Sequence, residues 1–210
     1  MNPSMNEIEA TARKAARGAG YTWGLAEEAG KATRWLCSNG VDGCGALAGL
    51  LGRIDGKDLA VWSPQIKGEI WSAQGGTLCP LVTGAALSDR AHEIGARGVV
   101  LDAVEAPIIL APFAALLAAE FKRPVEIHVG DMVLCTDGTF LSFEGTPPRV
   151  ASGAQICVGG TVNAPNKTCQ RAVVDPKDWA TLSAFAHRTY APATEESRLK
   201  GAGTGLSDSD

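Results

Sequence analysis

Three short β-prone runs, VEIHV (125–129), MVLCT (132–136) and TFLSFE (139–144), follow one another with only Gly130-Asp131 and Asp137-Gly138 between them. Connections this short are tight hairpin turns, and they oblige consecutive strands to pair antiparallel. The pattern predicts a meander at about 125–144. Within VEIHV, Val125, Ile127 and Val129 share one face and Glu126 and His128 the other, so His128 is expected at the surface rather than in a core.

Helical patterns flank this centre. Ile8, Ala12 and Ala15 recur at helical spacing over Asn6 to about Gly18, and Gly18 and Gly20 interrupt the run. Thr22 is an N-cap candidate for a second helix with Leu25, Ala29, Ala32 and Leu36 as its apolar stripe. Glu27 and Lys31 are expected to pair at i,i+4 on another face, and Asn39-Gly40 to end the helix. A small-residue helix capped by Asp42 is expected to reach Leu51. LAVWS (59–63) and EIWSA (69–73) read as a hairpin, and residues 77–96 as a strand followed by a helix. GVVLDAV and AQICVGG read as strands, as does 167–174, while APFAALLAAEFK reads as a helix starting near Pro112. Asp175-Pro176 then starts a helix running to about Thr189, with Trp179, Leu182 and Phe185 or Ala186 on its docking face.

Helices first, strands in the middle and a helix last favour an α+β fold. The expected architecture is an N-terminal helix pair, a central, mainly antiparallel sheet and a C-terminal helix docked on it. With 210 residues, 45% hydrophobic and 20% charged, the chain fits a single domain, 1–210, with a flexible tail from about 204. The apolar share leans on alanine and glycine, which predicts close helix packing with backbones near one another.

A net charge of −4 with interspersed signs offers no basic face for phosphate backbones, so nucleic acid is not an expected partner. The apolar run Ala106–Ala119 is shorter than the roughly 20 residues that span a bilayer, so no membrane is expected either. The N-terminus lacks the pattern of a secretory signal, which points to a cytoplasmic protein with six free thiols at Cys37, Cys44, Cys79, Cys135, Cys157 and Cys169.

Phosphate-cradling and dinucleotide glycine loops, H-E-x-x-H, paired C-x-x-C and G-x-S-x-G are absent from the sequence, so no cofactor is expected. Gly201 to Gly205 matches a glycine loop in composition only. Asp89, His92 and Glu93 fall within one helical turn, but read as a solvated charged face rather than a metal set. Cys79 and Cys157 lie beside irregular backbone and read as buried structural thiols.

Two stretches are harder to explain as packing. RGAGYTWGLAEEAG combines Arg17, the two hinge glycines Gly18 and Gly20, two aromatics and the adjacent Glu27 and Glu28, of which one alone can face a given pocket. RTYAPATEESRLKG supplies Arg188, Tyr190, Glu195, Ser197 and Arg198. Guanidinium forks suit a carboxylate or a phosphate. These residues, with Asp89, are the candidate site: Arg17, Asp89, Arg188, Glu195, Ser197 and Arg198 to bind a small anionic metabolite, and Glu28 or Tyr190 to move a proton. The alternative is a non-catalytic accessory subunit, or an oligomeric structural protein, whose C-terminal segment docks on a protein partner or a second copy.

ARGAGYTWGLAEEAGKATRWL together with RTYAPATEESRLKGAGTG resembles a proteobacterial family described as a domain of unknown function, over nearly the whole chain. The resemblance implies no activity, substrate or catalytic residue.

Overall fold

In the computed structural model, which describes residues 1–190, the fold is α+β. Glu195, Ser197, Arg198 and the expected tail lie outside the described residues.

Helix α1 (Met5–Gly18) starts at a capping box, in which the Ser4 side chain accepts from the Glu7 amide while the Glu7 carboxylate accepts from the Ser4 amide. Helix α2 (Trp23–Ser38) is capped by Thr22, as expected, and α3 (Gly43–Ile54) by Asp42. The first two helices pack on each other, with Ala12, Ala15, Ala16, Ala26 and Ala29 fully buried, and a Cβ at Gly30 would come within 2.9 Å of the Glu9 carbonyl oxygen. The alanine- and glycine-rich composition is thus spent on close backbone approach. Lys31 pairs with Glu28 at 2.8 Å, not with Glu27, whose carboxylate lies across the helix interface on Arg13 at 3.1 Å.

A seven-stranded sheet has the order β1-β2-β3-β9-β5-β6-β7. Its strands are β1 (Pro64–Lys67), β2 (Ile70–Ala73), β3 (Val99–Leu101), β5 (Val125–Val129), β6 (Met132–Thr136), β7 (Leu141–Glu144) and β9 (Ala154–Val158). The pairs are antiparallel except β2 with β3. The meander forms β5, β6 and β7 in the expected order. Thr139 and Phe140 stay outside β7 because the Asp137 carboxylate accepts their amides at 2.9 and 2.8 Å. A two-stranded ribbon pairs β4 (Val104–Glu105) with β8 (Val150–Ala151).

Helix α6 (Ala111–Phe121) lies on β5 and β6, α4 (Pro80–Asp89) packs on α6, and α1, α2 and α3 form the outer layer. Short α5 (Ala91–Ile94) follows α4, and α7 (Pro176–His187), capped by Asp175, docks on α1 and α3.

Three local expectations are corrected. Residues Leu59–Trp62 form a 3₁₀ turn rather than a strand, because the Asp58 carboxylate captures the Ala60 amide at 2.9 Å; the hairpin partner of β2 is instead β1. Leu78 makes only an isolated bridge to Val104, and the chain passes directly into α4 with Pro80 in its first turn. Residues 167–174 form no strand: the Cys169 amide donates to the Ser38 carbonyl at 2.7 Å and the Val174 amide to the Met1 carbonyl at 3.0 Å, so helix ends and the N-terminus take the groups a sheet would have used.

Candidate functional site

The corner between α2 and α3 begins with Asn39 and Gly40, whose φ of 72° turns the chain out of α2. Val41 follows, and Asp42 then accepts the Gly45 amide at 2.9 Å. Gly45, Gly49 and Arg53 recur every four residues, so they share one face of α3. That face borders a cavity of about 410 Å³, closed on its other side by Ala106, Ile108, Phe143, Pro147, Pro148 and Arg149. A side chain at Gly49 would meet only the Arg53 and Arg149 guanidinium nitrogens, at 4.0 and 3.9 Å, so both cations reach toward the bare patch of helix.

Arg53 is held in place from behind. Glu105 on β4 is buried and its carboxylate pairs with Arg53 Nε. Arg53 Nη2 donates to the Arg149 carbonyl at 3.2 Å, and the Ala106 amide donates to the same carbonyl at 2.7 Å. Ala106 is left-handed, with φ 37° and ψ 58°, a conformation that costs a non-glycine residue roughly 1–2 kcal/mol. The pairing of β4 with β8 supports this geometry by setting Glu105 opposite Val150, one residue beyond Arg149. Arg149 is exposed and makes no salt bridge among the described residues, while the Asp42 carboxylate lies on the same cavity rim. The cavity therefore offers cations on one side, an acceptor on another and an apolar wall between them.

The residues expected from sequence stand elsewhere. Arg17 donates to the Tyr21 carbonyl at 2.8 Å and lies over the Trp23 ring at 5.0 Å. Arg188 forms a two-pronged pair with Asp55, at 2.6 and 2.9 Å, which holds the Asp55 carboxyl below its usual range. The Tyr190 hydroxyl accepts from Lys14 at 3.4 Å and its ring meets His187 edge-on at 5.1 Å. Glu28, paired with Lys31, edges a groove of about 240 Å³ beside Trp35 and Phe113. Asp89 is exposed at the end of α4. Arg188 and Tyr190 thus pin the end of α7 to neighbouring residues, and none of these five borders the arginine cavity.

Other polar groups read from sequence are placed as follows. His128 is half-buried and bonds Glu126 at 2.9 Å on the sheet face opposite Val125, Ile127 and Val129. Cys79 is buried against the Tyr21 hydroxyl at 3.1 Å, and burial pushes both the thiol and the phenol up. No group of three or more histidine, cysteine or acidic residues among the described residues is placed to hold a metal ion, and no described helix is long and apolar enough to cross a membrane. All six cysteines are free.

Arg53, Arg149 and Glu105 were not among the expected residues. The one signal in the sequence was the four-residue spacing Gly45, Gly49, Arg53; nothing local joins residues 53, 105 and 149.

No curated protein matches the sequence. Among solved structures, the chain matches the crystal structure of malate dehydrogenase from Entamoeba histolytica with 13% identity and a TM-score of 0.43, over 86% of this chain and 60% of that one. The chain thus spans 60% of the length of that enzyme. Residues 3–79, which contain α1, α2, α3 and the β1–β2 hairpin, match the model of a family described as a protein of unknown function (DUF3726), so the first of the two phrases behind the sequence resemblance lies inside the matched span and the second outside it.

Proposed function

We propose that the protein binds a small anionic metabolite in the cavity between α3 and the 143–149 segment. The observation that carries this reading is the convergence of Arg53 and Arg149 on the bare Gly49 face of a cavity of about 410 Å³, a volume in the usual range for small-molecule sites. Arg53 is preset by Glu105 and the Arg149 carbonyl, so its guanidinium needs little ordering when a ligand arrives. Arg149, exposed at the cavity rim, supplies the second contact. A carboxylate or phosphate group bonds these two residues, a donor group on the same ligand faces Asp42, and its apolar part lies on Phe143 and Ile108. The six free thiols support a reducing, cytoplasmic setting.

Titration calorimetry with inorganic phosphate and with succinate tests this. A charge-assisted contact contributes roughly 1.5–3 kcal/mol, so Arg149→Ala is expected to weaken binding about tenfold or more. Arg97→Ala, away from the cavity, leaves the affinity unchanged. Absence of binding by either anion in the millimolar range, or equal affinity for wild type and Arg149→Ala, would overturn the reading.

A further inference from the structure

Cys37 lies in the last turn of α2 and Cys44 in the first turn of α3, and their sulfurs are 3.9 Å apart. Gly43 permits this approach. A Cβ there would come within 2.8 Å of the Thr33 carbonyl oxygen and 3.2 Å of Cys37 Sγ, so any larger residue would drive the start of α3 off the end of α2. The intervening segment is a shared wall. Gly40, Val41 and Asp42 border the arginine cavity on one side and, on the other, a cleft of about 260 Å³ lined also by Cys37, Cys169 and Arg171.

The two thiols are not equivalent. Hydrogen bonding from Cys44, helped by the amides of Gly43 and Cys44 at the start of α3, lowers the Cys37 pKa against its burial and the Asp42 charge. Cys44, bonded to that sulfur, buried, and near Asp42 and Asp178, is pushed up. Cys37 also lines the second cleft and Cys44 does not, so Cys37 is the thiol that a solute in that cleft meets first.

We propose that Cys37 and Cys44 are an oxidant-sensitive dithiol, in which a hydroperoxide entering the second cleft oxidises Cys37, Cys44 resolves it, and the disulfide locks the segment that walls the arginine cavity. In the first step the Cys37 sulfur attacks one oxygen of hydrogen peroxide, the O–O bond breaks, and the departing hydroxide takes up the thiol proton, leaving a sulfenic acid and water. In the second, the Cys44 sulfur attacks Cys37, the S–O bond breaks, and the departing hydroxide takes the Cys44 proton as a second water. Two thiols lose two electrons to the peroxide bond. The consequence for ligand affinity rests on the anion-binding reading above; the chemistry does not.

The test uses the folded, reduced wild-type protein, treated with hydrogen peroxide, alkylated and mapped by mass spectrometry. Expected are the loss of two of the six thiols, a Cys37–Cys44 linked peptide, and reversal by dithiothreitol. Cys44→Ser is expected to leave a dimedone-reactive sulfenic acid at Cys37, and Cys169→Ser to leave the bridge unaffected. The affinity for inorganic phosphate is expected to differ by about threefold or more between the reduced and oxidised protein. Retention of all six thiols under conditions that oxidise glutathione, a bridge from Cys37 to Cys169, or a Cys37–Cys44 bridge with unchanged phosphate affinity would each overturn the proposal. If phosphate binds neither form, it is the anion site that fails, and the mass map decides the dithiol by itself.

Discussion

Arg53 and Glu105 show how much a single pairing can decide. Glu105 is only 6% exposed, and a carboxylate so buried is tolerable when a cation stands beside it. Arg53→Met removes that cation and is expected to lower unfolding stability by about 3 kcal/mol, read from urea denaturation midpoints. The double variant Arg53→Met, Glu105→Leu is expected to recover most of the loss, because no buried charge remains. A double variant as unstable as the single one would mean that Arg53 acts through packing of its stem instead. Neither residue stands out in the sequence, since Arg53 falls just past the helix expected to reach Leu51 and Glu105 is one acid within an apolar stretch.

Helices meet here through glycines, and the sign of a glycine substitution follows from what surrounds it. A Cβ at Gly18, the last residue of α1, would overlap the Phe185 carbonyl of α7, a backbone group that cannot rotate aside. Gly18→Ala is expected to cost about 2 kcal/mol as α7 is pushed away, even after the better helix propensity of alanine is counted. Gly52, inside α3, has no neighbour within 4 Å, so Gly52→Ala is expected to stabilise by about 0.5–1 kcal/mol. Thermal unfolding of the two variants separates the cases, and opposite signs are the required result. Three element starts were legible for a local reason: Thr22, Asp42 and Asp175 each accept an amide from the first turn they precede. The expectation failed where a local bond competes with strand pairing, as when Asp58 captures the Ala60 amide.

At the scale of the molecule, the late strand β9 lies between β3 and β5 and joins the N-terminal part of the sheet to the meander. Ile156 on β9 is 1% exposed and stands opposite both Val99 and Ile127. Ile156→Ala is expected to cost about 3 kcal/mol in urea denaturation, against about 1 kcal/mol or less for Ile66→Ala on the half-buried edge strand β1. Equal costs would deny β9 this central part.

The division between what was readable and what was not follows sequence distance. Turn chemistry, caps and periodicity act between residues a few positions apart, so the meander, the three N-terminal helices, the C-terminal helix and the α+β class followed from the sequence alone. The insertion of β9, the placing of 167–174 against the end of α2 and the N-terminus, and the meeting of Arg53, Glu105 and Arg149 depend on contacts across about thirty to more than a hundred residues, which no local pattern records. Arg188 illustrates the difference: its guanidinium was legible as a chemical group, but its pairing with Asp55 was decided only when α7 docked beside α3.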